Sequence, residues 1–185
     1  TSIAPFTELS CIDNSVNLSK AKAEEGLKKI GKENSMEVTI IRPVLVYGKN
    51  APGNFGLLSK IVSKLPFTPF ALVKNKRSFI SVGNLCDFIS LCITHPKAAN
   101  EVFLISDGHS VSTPELMSAM ALGMGEKVSH LPMPVWVLRL AGKLLGRSKQ
   151  IEQLVGDLQV DCSKAKALLG WEPPETMAQA MAKLK

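Results

Sequence analysis

The sequence predicts a mixed α/β body built on a parallel sheet. Two observations carry that expectation. Strand-like and helix-like segments alternate along the chain, the order that produces parallel sheets. The run Val38-Thr39-Ile40-Ile41 is β-branched and almost continuously apolar, as a strand covered on both faces requires. No internal repeat, low-complexity tract or linker interrupts the pattern, so one body of mixed elements is expected.

Taken in order, the spacing predicts a helix over 16–34. There Leu18, Ala21, Leu27 and Ile30 alternate with charges, and Glu24–Lys28 and Glu25–Lys29 stand in the favourable Glu-first i,i+4 order. The buried strand at 38–41 follows. A loop over 48–53 leads to a helix over 54–64, then to the proline-rich turn 65–70. Residues 75–82 read as a short strand, 83–94 as an apolar helix stopped by Pro96, and 101–106 as another strand. Ser112-Thr113-Pro114-Glu115 is a capping box with proline in the first turn, so a helix begins there. A further helix opens at Met133-Pro134, with Arg139, Lys143 and Arg147 every four residues as one basic stripe. A short helix over 163–169 ends at Gly170, and a last helix starts near Thr176.

Composition narrows the function classes. The 185 residues carry 22 Lys+Arg against 16 Asp+Glu, a net charge of +6, with 45% hydrophobic residues, which excludes disordered and collagen-like chains. No apolar run approaches the roughly 18 residues of a membrane span, and residues 1–10 have no signal-peptide character. Four dispersed cysteines and three histidines show no metal-ligand spacing, so no metal site is expected. Cys86 and Cys92, in an apolar helical stretch, read as buried reduced thiols, and a cytoplasmic location follows. The basic residues are dispersed and aromatics are 5%, so neither nucleic acid nor membrane is expected as a partner; the stripe reads as a solvated face. No G-x-G-x-x-G turn, P-loop, H-E-x-x-H or G-x-S-x-G is present.

Five blocks in a fixed order carry a resemblance. They are Pro5-Phe6-Thr7-Glu8; Leu18-Ser19-Lys20 with Ala23-Glu24; Ile41-Arg42-Pro43 with Val46-Tyr47-Gly48; Asn75-Lys76-Arg77-Ser78; and Asp161 with Lys164-Ala165 and Leu169-Gly170-Trp171-x-Pro173. In that order the chain resembles the carboxyl-terminal half of the NAD-dependent nucleotide-sugar epimerase/dehydratase family, among the extended short-chain dehydrogenases/reductases.

The resemblance implies an incomplete Rossmann-like parallel sheet with a small carboxyl-terminal substrate-binding region. Residues 1–50 would be the remnant of the NAD domain, and 51–185 a substrate region interleaved with the last sheet strands. It implies NAD as cofactor, taking a hydride from a UDP-sugar, and activity of the UDP-hexose 4-epimerase type. Lys20 matches the lysine of the family's Tyr-x-x-x-Lys pair, which binds the nicotinamide ribose. Val16 occupies the tyrosine position, and valine cannot transfer a proton. Tyr47, the chain's one tyrosine, reads as packing. Pro43 falls where family members pack backbone against nicotinamide. Asn54 and Arg77 fall where they contact the substrate diphosphate, and arginine can grip such a group in bidentate fashion. Asp161, Trp171 and Pro173 read as structural.

Without a glycine-rich turn or a proton-transfer tyrosine, the isolated chain is expected to be inactive. It is either a fragment of a longer protein or a degenerate relative, and the ladder needs of the 38–41 strand favour the fragment. The expected partners are a UDP-sugar and either a second copy or a missing amino-terminal half. The alternative function is a non-catalytic sugar-nucleotide-binding or assembly module.

Overall fold

A computed structural model describes residues 5–8, 15–49, 51 and 53–184, apart from the side chains of residues 15–18 and 54. Helix α1 (Ser15–Glu33) leads into β1 (Ile40–Pro43) and β2 (Leu45–Tyr47), then α2 (Asn54–Lys64) and β3 (Phe67–Thr68). Strand β4 (Arg77–Ser81) passes directly into α3 (Val82–Thr94). A 3-10 turn at Pro96–Ala98 precedes β5 (Val102–Ile105) and β6 (Ser110–Val111). The remaining elements are α4 (Thr113–Met124), β7 (Ser129–His130), α5 (Val135–Leu144), α6 (Ser148–Val155), α7 (Ser163–Leu169) and α8 (Met177–Ala182).

The expected parallel pairing is present. β1 lies parallel to β5, with Ile40 opposite Val102 and Pro43 opposite Ile105. One residue later the same extended chain changes partner: β2 lies parallel to β4, with Leu45 opposite Phe79 and Tyr47 opposite Ser81. β6 closes the far side of β4 in antiparallel fashion, and β3 pairs with β7.

The first strand starts two residues later than the sequence predicts. Val38 and Thr39 are spent on side-chain hydrogen bonds instead, the Val38 amide donating to Asn100 Oδ1 and Thr39 Oγ1 to the Ala98 carbonyl. β1 is also not covered on both faces. Ile40 is buried, but Ile41 is half-buried and Pro43 exposed.

The two edges of the β1–β5 pair differ. On the β5 side, Lys164 Nζ donates to the Val102 carbonyl at 2.7 Å and the Leu104 amide donates to Glu8 Oε1 at 3.2 Å, so side chains satisfy the ladder groups. Lys and carboxylate groups placed so are a common defence of a sheet edge. On the β1 side, no strand pairs among the described residues.

Two apolar clusters result. One packs Phe88, Phe103, Ile105, Ile80, Leu169 and Trp171 around the β1–β5 pair, with the Phe88 ring edge-on to Phe103 and Trp171 at 5.4 and 4.9 Å. The other lies among α2, α4, α5, α6 and α8 and includes Tyr47, Phe55, Met117, Met120, Leu138 and Met181.

Two readings from sequence need correcting. Cys86 is an exposed free thiol on the outer side of α3, whereas Cys92, on the inward face with Asn84 and Phe88, is a half-buried free thiol packed against the core. The helix opened at Pro134 ends at Leu144, because Gly146 takes a left-handed φ of 65° and a separate α6 follows.

Candidate functional site

In a parallel sheet, ligands gather beyond the carboxyl ends of the strands, and here β1 and β5 end at one level, beside the start of β4. Pro43 ends β1 opposite Ile105. Two residues further, the Asp107 amide donates to the Phe79 carbonyl at 2.8 Å, so β4 begins where β5 ends. With Phe79 opposite Leu45, Arg77 sits two residues earlier on β4, near the level of Pro43.

Lys20 belongs to the same end. Glu24, one helical turn later on α1, holds Arg42 of β1 by a two-pronged contact, Nε to Oε1 at 2.9 Å and Nη2 to Oε2 at 2.5 Å. The carboxyl end of α1 is tied toward the start of β1 through the Met36 amide to the Gly31 carbonyl, so α1 runs antiparallel to the strand. One turn before Glu24, Lys20 therefore lies about 6 Å further along the helix toward the Pro43 end. Its side chain is exposed. Val16 lies in the first turn of α1, and Asn54 at the first position of α2; both side chains fall outside the described atoms.

Arg77 is nine-tenths buried. Its Nη1 donates to the Gly156 carbonyl at 3.0 Å, the same carbonyl that accepts Asn75 Nδ2 at 3.0 Å. Burial pulls its guanidinium pKa below the ordinary value, opposed by nearby Asp157. The guanidinium lines a cavity of about 20 Å³ with Phe55, Leu58, Thr113, Leu116 and Gln153, space for one water. The structure thus brings Lys20 and Pro43 to one end of the sheet with Arg77 near their level, but it closes the protein around Arg77.

The reading of Tyr47 as packing agrees with its geometry. Its ring is fully buried, and its hydroxyl donates to Asp107 Oδ2 at 2.6 Å. Burial, then the Asp107 carboxylate, push the phenol pKa far above its ordinary value, so it cannot serve as an acid–base group near neutrality. Asp161 holds the Ser163 amide at 2.8 Å, and Trp171 donates from its indole to Asp87 at 2.8 Å; both are structural.

Sequence reasoning missed Asp107, which joins Tyr47, the Ser81 amide and Asn84 Nδ2 into one buried network. It also missed Phe55 and Gln153 beside Arg77. Their partners lie at least 20 residues away, beyond any local pattern; the Asp107-Gly108 turn was the one local cue.

A dinucleotide needs a glycine turn between strand and helix for its pyrophosphate. Here β4 enters α3 with no intervening loop, capped by Ser81 Oγ accepting the Asn84 amide. This junction therefore offers no glycine turn to a pyrophosphate. Among the described residues there is also no metal-ligating cluster and no helix long and apolar enough to cross a membrane.

Comparison with known proteins agrees with this geometry. The sequence model of the NAD dependent epimerase/dehydratase family matches residues 14–106, from the α1 region through β5. The chain belongs to that family. It is 47% identical over 168 residues to UDP-glucose 4-epimerase of Vibrio cholerae, covering 90% of this chain and 51% of that protein. It is 26% identical over 182 residues to N-acetyl-alpha-D-glucosaminyl-diphospho-ditrans,octacis-undecaprenol 4-epimerase of Escherichia coli O157:H7, covering 91% and 55%. The fold is similar to UDP-glucose 4-epimerase of Bifidobacterium longum in complex with NAD+ and UDP. That similarity has a TM-score of 0.68 at 18% identity and covers 97% of this chain and 57% of the other. The chain spans about half the length of the curated relatives it matches.

Proposed function

We propose that this chain is the sugar-nucleotide-binding portion of an NAD-dependent epimerase of the UDP-hexose 4-epimerase type, inactive by itself. The observation that carries the reading is the 47% identity to UDP-glucose 4-epimerase along nine-tenths of the chain. Residues 1–50 are the remnant of the Rossmann-like domain, and 51–185 the substrate region interleaved with the last strands. The edge of β1 beside which no described strand lies is where the remainder of the sheet joins.

In this reading Arg77 and the start of α2 at Asn54 receive the substrate diphosphate, the group common to the sugar compounds named for the relatives. The water-sized cavity means that binding displaces the Gly156 carbonyl from Arg77 and opens the space between Phe55 and Gln153. Lys20 and Pro43 form the rim of a cofactor site whose pyrophosphate turn lies elsewhere. Val16 supplies no proton, so the chain binds without turning over.

Thermal unfolding with millimolar UDP-glucose tests this reading. A ligand that binds the folded state at 100 times its Kd adds about 2.7 kcal/mol and raises Tm by several degrees. No rise, or an equal rise in Arg77→Ala, contradicts it.

A further inference from the structure

Helix α5 turns Leu138 and Gly142 inward, with Gly142 packed against the Ile151 side chain of α6. Its outward side is not simply polar. Trp136, Leu140 and Leu144, spaced i, i+4 and i+8, form one row that is 67%, 49% and 78% exposed, and Leu145 just beyond is 73% exposed. Single exposed leucines are ordinary, but a row of three that includes a tryptophan, continued by Leu145, is not. Arg139 and Lys143 immediately precede Leu140 and Leu144, so they form a second row beside the first. Arg147 and Lys149 follow at the turn and the start of α6, and all four are exposed. Among the described residues the recorded acidic partner in this patch is Glu152, paired with Arg139 at 2.7 Å.

An apolar row with tryptophan, flanked by lysine and arginine, suits a helix lying in the plane of a bilayer surface. The apolar side chains enter the acyl boundary while the long basic ones reach lipid phosphates. We propose that α5 and the start of α6 dock this protein on an anionic lipid surface. Trp136, Leu140, Leu144 and Leu145 insert, and Lys143, Arg147 and Lys149 lie over the headgroups. Charge complementarity selects this occupant. A second copy packed antiparallel on this face about a twofold axis would set the basic rows against each other, a parallel second copy is an outcome of the test below, and nucleic acid offers no apolar layer to the leucines. The ten-residue helix lies on the surface and does not span it.

The chain has two tryptophans, and Trp171 is 6% exposed with its indole bound to Asp87, so a fluorescence change reports Trp136. The 185-residue chain is titrated with vesicles of phosphatidylcholine alone and of phosphatidylcholine mixed with phosphatidylglycerol, with co-sedimentation alongside. The expected result is a blue shift and sedimentation with the anionic vesicles only. Lys143→Ala/Arg147→Ala weakens partitioning roughly fivefold per charge removed, and Leu140→Ser/Leu144→Ser weakens it about tenfold or more. Circular dichroism confirms that each variant keeps its helices. Four results overturn the proposal: no sedimentation with either vesicle, equal binding to both, binding unchanged in both double variants, or a blue shift that grows with protein concentration without vesicles, which assigns the face to a second copy.

Discussion

The Tyr47 hydroxyl donates to Asp107 Oδ2 at 2.6 Å and so ties the end of β2 to the turn that follows β5. The other carboxylate oxygen accepts the Ser81 amide at 3.1 Å and Asn84 Nδ2 at 2.7 Å. Asn84 in turn holds the Glu175 backbone from both sides, fixing the segment before α8. One buried carboxylate therefore joins the two strand pairs to the carboxyl-terminal region, with its charge held entirely by donors.

Tyr47→Phe should cost about 1–3 kcal/mol, because it leaves a buried carboxylate oxygen without its donor. The loss should also depend on pH. An unfolded tyrosine loses its proton near its ordinary value of 10.0, whereas the folded one stays protonated well above it. Above pH 10 the unfolded chain thus binds fewer protons, and stability falls as pH rises. Urea unfolding between pH 8 and 11 should show a steeper alkaline decline for the wild type than for Tyr47→Phe; parallel curves would contradict this placement of the phenol.

Two glycine-to-alanine substitutions should have opposite signs. At Gly123 on α4 a Cβ would collide with the Met181 carbonyl of α8, and neither backbone can yield cheaply. The cost should be about 1–3 kcal/mol. Gly26 on α1 has no atom within 4 Å of the added carbon and is exposed, so Gly26→Ala should stabilise by up to about 1 kcal/mol. Thermal unfolding of both variants decides; a destabilised Gly26→Ala would mean that this face of α1 is covered in solution.

The helix caps offer a third check. Ser112 Oγ accepts the Glu115 amide while the Glu115 carboxylate accepts the Ser112 amide, and Thr176 with Gln179 repeats the arrangement before α8. Ser112→Ala and Thr176→Ala should each cost about 1 kcal/mol in urea unfolding. The Ser112 amide and hydroxyl hold the Glu115 carboxyl below its usual value, so the Ser112 box should loosen as pH falls through the acid range. The Thr176 box, closed by a neutral glutamine, should not. Equal acid sensitivity of the two variants would contradict that assignment.

What the sequence made legible was local. The helix at 54–64 and the capping box at Ser112 depend on residues three or four apart, and both stand as read. The parallel strands were legible because a β-branched run announces them whatever its partner. Less local features escaped. The two-residue pairing of Phe67–Thr68 with Ser129–His130 joins segments about 60 residues apart. The break at Gly146 follows from a φ that glycine permits but does not require. The basic stripe was visible in the sequence, yet its exposed apolar neighbours were not, because Leu138 and Leu140 look alike until the fold buries one of them. Arg77 was found by resemblance, and no pattern in the chain foretold that its guanidinium would rest on the Gly156 carbonyl.

The most direct test is a calorimetric titration of the purified chain with UDP-glucose, comparing wild type, Arg77→Ala, Arg77→Lys and Lys20→Ala. Urea unfolding of each confirms that the titrated protein is folded. The account predicts one site per chain for the wild type, about tenfold weaker binding in Arg77→Lys from the lost bidentate grip, and greater weakening in Arg77→Ala. It predicts an unchanged affinity in Lys20→Ala, whose role is toward the cofactor. Absence of binding by the folded wild-type chain, or affinity indifferent to Arg77, would contradict it.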